Sequence, residues 1–425
     1  VHATVGHVSP WGIHCGFARH LGYWLPYLPD PGASVMLAEV PPHWYKTIED
    51  TGPWPVDRCW VRGKAESLDR ILTTAKARDI GILHWQWDPS FFPYEAMLAY
   101  QEQARAAGIQ TVVTTHTVER GDLWLRANKT ALRVADQVVA GTPAMVQAWT
   151  DLAAEYHIPL ARPVKLVYLP VPAQTPLARP ERADHNGRRP TVVCWGMLSA
   201  IKGIEPVYRA VGKLRADGFG DAHLIVAGRA ITPEQQKTAA RLAELAGSDP
   251  EGLELREGFM PEDDIYRLCQ SADVIVLNHQ AAHQSSSGTV ALSVASGTPV
   301  VVSDSPMFSG YAEAGAVAVA AGDSPEAIAQ TIRQVLAAPG EHAEGRARML
   351  RLIHPAYVAG QYEEIYEAME PETAAVTVPV AADPIAAAIT VLVYRAECLE
   401  QQAAELADQA KRLRYAAQCL EQPSP

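Results

Sequence analysis

Two short stretches carry residue types suited to holding an anion. In VVCWGMLSAIKGIEPVYRAV a strand-like run meets an amphipathic stretch through a loop that holds Gly196, Lys202 and Gly203. A lysine just before a helix amino end can meet a phosphate that the helix dipole and its free amides also attract. The plainer alternative is a surface lysine in a loop. In NHQAAHQSSSGTVALSVASGTPVVVSD, the residues Ser285, Ser286, Ser287, Gly288 and Thr289 follow the apolar run VIVL and open an apolar helix. Small hydroxyls and backbone amides then converge where an anion is favoured, and each hydroxyl is equally suited to capping the helix. The following SGTPVVVSD reads as a helix end at Gly297, a tight turn and a buried strand, so that stretch is structural.

Such loops need strands and helices to aim them. The first ~170 residues alternate apolar runs with amphipathic stretches, the rhythm of strands joined by crossover helices. Strands are expected at Ser34 to Leu37, Ile80 to Trp85, Gln110 to Thr115, Gln137 to Ala140 and Val164 to Leu169, with helices at Gly16 to Leu28, Ala65 to Arg78 and Pro93 to Ala107. Runs such as TVVTTH and QVVAG are apolar enough to be covered on both faces, as in a parallel sheet. Residues 170 to 190, rich in Pro, Arg and polar residues, read as a linker. A second series follows, with strands at Thr191 to Trp195, Ala222 to Ala227, Leu253 to Glu257, Val274 to Leu277, Pro299 to Ser303 and Ala316 to Val319. Its helices are expected at Gly203 to Asp217, Pro233 to Ala246, Pro261 to Gln270, Thr289 to Ser296 and Ser324 to Ala337. The fold class is therefore α/β, two Rossmann-like domains facing a cleft, with ligand at the carboxyl ends of the strands. The expected domains are residues 1–172 and 190–355, with a closing helix at 356–369.

The remainder differs. After a loose stretch at 369–384, Ile385, Ile389, Leu392, Ala396, Leu399, Ala403, Leu406, Ala410, Leu413, Ala417 and Leu420 recur at spacings of four and three. Sustained 3.5-residue periodicity marks a coiled coil, placing an oligomerisation helix at 384–420 and making a homo-oligomer through residues 385–420 the expectation. Folding back onto its own domain is the alternative. At ~1.5 Å per residue such a helix is ~54 Å long.

Bulk composition sets limits on partners. The 425 residues carry a formal net charge of −12 and lack a long basic block, which speaks against electrostatic binding to nucleic acid. Apolar residues at 48% and charged residues at 20% set aside wholesale disorder. No run approaches ~20 uninterrupted apolar residues, and VHATVGHVSPWG lacks the basic start and apolar core of a signal peptide. The six cysteines form no CxxC pair, which argues against a zinc site and a disulfide scaffold, and a reducing cytoplasm fits. The aromatic stretch FARHLGYWLPYLPDP suits either a buried helix rim or a contact with the inner membrane face.

Taken in order, these pieces resemble the GT-B fold glycosyltransferases, specifically family 4 of retaining, nucleotide-sugar-dependent enzymes, from about Gly6 to Met369. The resemblance implies a glycine-rich loop near the donor phosphates, matched here by Gly12 and Gly16 in SPWGIHCGFARHL. HWQWDPSFFP is similar to the segment in which a His or Gln precedes an aromatic and an acidic residue. TVVTTHTV looks like the strand-then-His element whose histidine contacts the transferred sugar, which puts His116 in that role. WGMLSAIKGIEPVYRAV is similar to the phosphate loop, carrying the lysine role to Lys202, with Gly196 beside it. LREGFMPEDDIYRLC is similar to the base-cradling region near Arg256 to Phe259. Ser286, Ser287, Gly288 and Thr289 are implied as diphosphate contacts. His84, inside an apolar strand, reads as structural.

Three departures stand out. Met197 occupies the place where the family carries Arg, and Arg229 after LIVAG is a candidate replacement. Counting back from SGTPVV puts Gln284 and Leu292 where the family carries two glutamates, so the Glu-x7-Glu region is divergent. The resemblance implies metal-independent sugar transfer, with no cofactor beyond the nucleotide-sugar co-substrate and a saccharide, lipid-linked or protein acceptor. No plausible DxD pair is present, in keeping with that expectation. The alternatives are a nucleotide-sugar epimerase or hydrolase, and a catalytically degenerate scaffold assembled through the coiled coil.

Overall fold

The computed structural model describes residues 4–13, 15–41, 52–118, 121–172, 190–280 and 287–369. Gln284, Ser285, Ser286, the segment 173–189 and the heptad tail lie outside the described residues.

The first lobe is a seven-stranded parallel sheet. Its strands are β1 (Thr4–Ser9), β2 (Ser34–Glu39), β3 (Val56–Trp60), β4 (Ile80–Trp87), β5 (Gln110–Thr115), β6 (Gln137–Ala140) and β7 (Lys165–Leu166), in the order β3-β2-β1-β4-β5-β6-β7. The helices α1 (Gly16–Trp24), α2 (Glu66–Ala77), α3 (Tyr94–Ala106), α4 (Asp122–Val134) and α5 (Pro143–Glu155) connect them. The second lobe is a six-stranded parallel sheet of β8 (Thr191–Trp195), β9 (His223–Gly228), β10 (Leu253–Glu257), β11 (Val274–Leu277), β12 (Val300–Val302) and β13 (Ala318–Val319), ordered β10-β9-β8-β11-β12-β13. Its helices are α6 (Ile204–Ala216), α7 (Pro233–Ser248), α8 (Glu262–Ser271), α9 (Gly288–Ala295), α10 (Ser309–Glu313), α11 (Pro325–Ala337) and α12 (Ala343–Leu352). In each sheet the strand order reverses beside the first strand, between β1 and β4 and between β8 and β11, which opens a crevice at the strand carboxyl ends.

Both sheets are buried on two faces, as β-rich apolar runs demand. Val192, Val207, Val226 and Ile332 fill one side of the second sheet, and Val193, Ile275, Val290 and Met349 the other. Strands β1 and β3 and helices α4, α5, α10 and α12 were not expected from the apolar pattern. TVGHVS hides as a strand because Gly6 and His7 interrupt its run, yet both are buried. A Cβ on Gly6 would lie 2.9 Å from Ile80 Cδ1 and 3.1 Å from Leu37 Cδ1, so glycine lets neighbouring strands and their side chains close over it. VDRCW, at the sheet edge, sets the charged pair Asp57 and Arg58 inside a five-residue run and shows neither a continuous apolar stretch nor a clean alternation.

The final described helix, α13 (Pro355–Glu367), returns from the second lobe and packs on the first. Val358, Ala359, Tyr362, Ile365 and Tyr366 join Val5, Trp24, Met36 and Ile82 in one core. Tyr362 stacks on Trp24 at 4.2 Å between ring centroids and 19° between planes. Among the described residues no helix is long and apolar enough to cross a membrane.

Candidate active site

The two crevices face each other across one cleft of about 760 Å³, within the range of small-molecule sites. The first lobe lines it with Cys15, Gly16, Phe17, Arg19, His20, Tyr23 and His116. The second contributes Trp195, Gly196, Met197, Lys202, Arg229, Phe259, Ser287, Gly288, Thr289 and Leu292, among others.

Lys202 ends a 3-10 turn, Ala200–Lys202, between β8 and α6. Three contacts clip this turn to the segment after β11. Asn278 Nδ2 donates to Gly203 O (3.1 Å), Gln280 N donates to Ile201 O (2.8 Å), and Lys202 Nζ donates to His279 Nε2 (3.0 Å). Gly203 adopts φ 55°, and a Cβ there would lie 2.4 Å from Asn278 O, so only glycine fits the turn. Burial lowers the Lys202 ammonium from 10.5 to about 8. Burial, with the adjacent lysine, lowers His279 to about 3, so its ring is neutral and accepts from Lys202. With Nε2 accepting, Nδ1 holds the ring proton, 3.0 Å from Met307 Sδ.

Gly196 has φ 127°, and a Cβ on Gly228 would lie 1.7 Å from Gly196 O, so the ends of β8 and β9 touch through glycine. Leu198 N donates to Arg229 O (3.0 Å), which sets Arg229 beside Met197 in the same wall. The Arg229 guanidinium lies 5.7 Å from the centre of the Phe259 ring, and Phe259 is 53% exposed. Ser287 Oγ and Thr289 Oγ1 are 2.5 Å apart at the amino end of α9, and neither caps the helix through its side chain. Leu292, one turn further, is buried at the cleft wall.

On the first lobe, His116 follows β5 and sits edge-on to Phe17 (4.6 Å) and His20 (5.4 Å). Its Nε2 lies 2.8 Å from Gln86 Oε1. An amide oxygen only accepts, so Nε2 carries the ring proton. Burial lowers His116 to about 3 and, with the charge of His116, lowers His20 well below its ordinary value. Both rings are neutral near pH 7. Cys15 precedes α1 at the cleft, and burial raises its thiol, leaving a protonated sulfur rather than a nucleophile. The lobes also touch directly. Arg19 Nη1 lies 3.3 Å from Glu262 Oε2 at the start of α8, and Tyr23 donates its hydroxyl to the same oxygen.

The cleft thus gathers Lys202, His116, Gly16, Gly196, Arg229, Phe259, Ser287, Gly288 and Thr289. Two expected contacts lie elsewhere. Gly12 is not among the cleft residues, because Trp11 beside it is buried against Trp54 in the first-lobe core. Arg256 is also absent from the cleft, being paired with Glu254 at 2.6 Å on the edge strand β10. His84 is buried and structural in its contacts, bonded to Tyr366 and Thr114. His20, Arg19, Tyr23, Trp195, Glu262 and His279 were not read from sequence. Each joins the site through a partner far away in the chain.

Residues 189–338 match the sequence-family model described as Glycosyl transferases group 1. No curated protein sequence matched the chain. Among solved structures, the glycosyltransferase from Rickettsia africae ESF-5 superposes with a TM-score of 0.68 at 13% identity, covering 88% of this chain and 100% of that one. HepE from Anabaena, solved in complex with UDP, gives a TM-score of 0.65 at 13% identity, covering 86% and 100%. Sucrose-phosphate synthase from Thermosynechococcus elongatus gives 0.62 at 17% identity, covering 86% and 99%. The chain therefore has the GT-B fold, and residues 189–338 of its second lobe match the glycosyl transferases group 1 model.

Proposed function

We propose that this protein transfers a sugar from a nucleotide-diphosphate donor to an acceptor held by the first lobe, with retention and without a metal ion, in the manner of family 4 enzymes. The observation that carries this reading is the half-buried Lys202, set in the same cleft wall as Arg229 and the amino end of α9. As the glycosidic bond breaks, the leaving diphosphate gathers negative charge. A desolvated ammonium, a guanidinium and helix amides stabilise that charge without reorganising, which is preorganised electrostatic catalysis. Phe259 is the exposed aromatic face suited to the base. His116, neutral and on the opposite wall, would orient the sugar, or its backbone carbonyl would steady the developing oxocarbenium ion. Leu292 cannot bond a ribose hydroxyl, so ribose is read by other groups. The acceptor is a saccharide, a lipid-linked saccharide or a protein. Action in the cytoplasm, including at the inner membrane face, and assembly through residues 385–420 belong to the same reading.

The test is calorimetric titration with UDP, GDP, ADP, CMP and dTDP in the absence of metal, on wild type and Lys202→Ala. One nucleotide is expected to bind, and to bind more weakly to the variant by about 1.5–3 kcal/mol, the worth of a charge-assisted contact. Equal affinity would remove Lys202 from the site. Donor turnover that needs no acceptor would redirect the reading to a hydrolase or epimerase.

A further inference from the structure

Gln86, on β4, lies between two imidazoles. Its Oε1 is 2.8 Å from His116 Nε2, and its Nε2 is 3.3 Å from His84 Nε2. An amide has one donating and one accepting end, so the two rings are forced into opposite states at Nε2: where His116 bears a proton, His84 presents a lone pair. The rest of the buried network accommodates that order. Thr114 Oγ1 lies 2.7 Å from His84 Nε2 and 3.0 Å from Tyr362 OH, so in this order the threonine donates to the ring and accepts from the tyrosine. His84 Nδ1 then donates to Tyr366 OH at 2.7 Å. The opposite order requires Gln86 to be turned over, with His84 Nε2 donating, Tyr366 donating to His84 Nδ1, and the amide hydrogens of Gln86 meeting a bare Nε2 on His116.

We propose that Gln86 is a positioning residue for His116. It fixes the ring as the Nε2–H tautomer and leaves Nδ1 as the nitrogen available to a ligand, while His84, Thr114 and the Tyr362 and Tyr366 hydroxyls of α13 carry the same hydrogen-bond order inward. The functional half of this inference rests on the reading of His116 as the sugar-facing group. Among the described residues Nδ1 of His116 has no hydrogen-bond partner, and the ring lines the cleft. The groups packed around it are Phe17 and His20 on α1 and Gln86 on β4, none of which is charged near pH 7. Only the hydrogen-bonding order therefore selects between the tautomers.

Histidine-15N-labelled full-length protein tests this directly. Long-range 1H–15N spectra report which nitrogen of each ring carries the proton, and His116→Gln assigns the His116 signals. In wild type, His116 is expected to be protonated at Nε2 and bare at Nδ1 near pH 7. In Gln86→Leu the ring becomes a tautomer mixture, and Tyr366→Phe moves it part of the way. In Gln86→Glu, a shape-conserving change, Nε2–H is retained but the carboxylate raises the ring's titration toward neutral pH. A wild-type ring protonated at Nδ1, or a tautomer unmoved by Gln86→Leu, overturns the proposal. In the transfer reaction, Gln86→Leu is expected to lower kcat on the order of tenfold while leaving the donor KM within about twofold, as loss of an outer-shell partner does. An intact tautomer response without any transfer activity would count against the function reading alone.

Discussion

Across the cleft the first lobe offers His20, His116 and Phe17, while the second offers Lys202, Arg229 and the amino end of α9. The first-lobe histidines are held neutral by burial and take part in a network reaching α13. In the second lobe a half-buried lysine keeps most of its charge near pH 7, since burial lowers it only to about 8, and its turn is clipped to the end of β11. One wall is built to present ring nitrogens and apolar edges at fixed positions, the other to receive negative charge. The same strand order in both sheets supports both tasks, since the loops after the strands differ and the scaffold does not.

If the walls divide the work in this way, His116→Ala should lower kcat on the order of 100-fold while leaving nucleotide affinity nearly unchanged. Comparison of kcat and nucleotide Kd in His116→Ala and Lys202→Ala checks this, and equal losses of nucleotide affinity in the two variants would break the division. pH should separate the walls next. Bound diphosphate favours charged Lys202, so affinity should be full below about pH 8 and fall by up to about tenfold per unit above it, with proton uptake visible as buffer-dependent heat. The histidines act at the other end of the scale. His7 and His116 stay neutral down to about 3 in the fold but protonate near 6.5 when unfolded. Their contribution to stability is therefore present above pH 6.5 and lost as pH falls toward 3, by up to about 1.4 kcal/mol per unit for each ring. Urea titrations at pH 7 and pH 5 measure it. The smallest effect belongs to the tie between the walls. Arg19 is 41% exposed at its side chain, so Glu262→Gln should change nucleotide affinity by less than about 1 kcal/mol. A tenfold change in calorimetric titration would instead make that contact part of cleft closure.

Much of this arrangement can be read from apolar runs alone. Gln110–Thr115, Gln137–Ala140, Thr191–Trp195 and Val274–Leu277 lie where the sequence puts them, because strands buried on both faces are short, continuous and bounded by turn residues, and the edge strand Leu253–Glu257 is found by its alternation instead. Lys202 and Ser287–Thr289 line the cleft for a related reason, since loops after such strands end at the crevice. Arg256 was misplaced by the same logic. Glu254 lies two residues earlier on the same face of the strand, and alternation along β10 foretells the pair that removes Arg256 from the cleft. What sequence could not show are contacts that join distant segments. Gln86 and His116 are thirty residues apart, Lys202 and His279 seventy-seven, and Tyr23 and Glu262 two hundred and thirty-nine. Local periodicity contains no information about such pairings, which arise only when the sheets and lobes assemble.

The return of α13 to the first lobe bears on how the protein is made. A ribosome delivers the first sheet and its own crossover helices early, but Trp24, Met36 and Val5 wait for Val358, Tyr362 and Tyr366 to cover them. Until residue 369 has cleared the exit tunnel, that apolar face is open to water or to other nascent chains. The first lobe to be synthesised is thus the last to be completed, and a chain interrupted anywhere in the second lobe leaves an adhesive surface on the first.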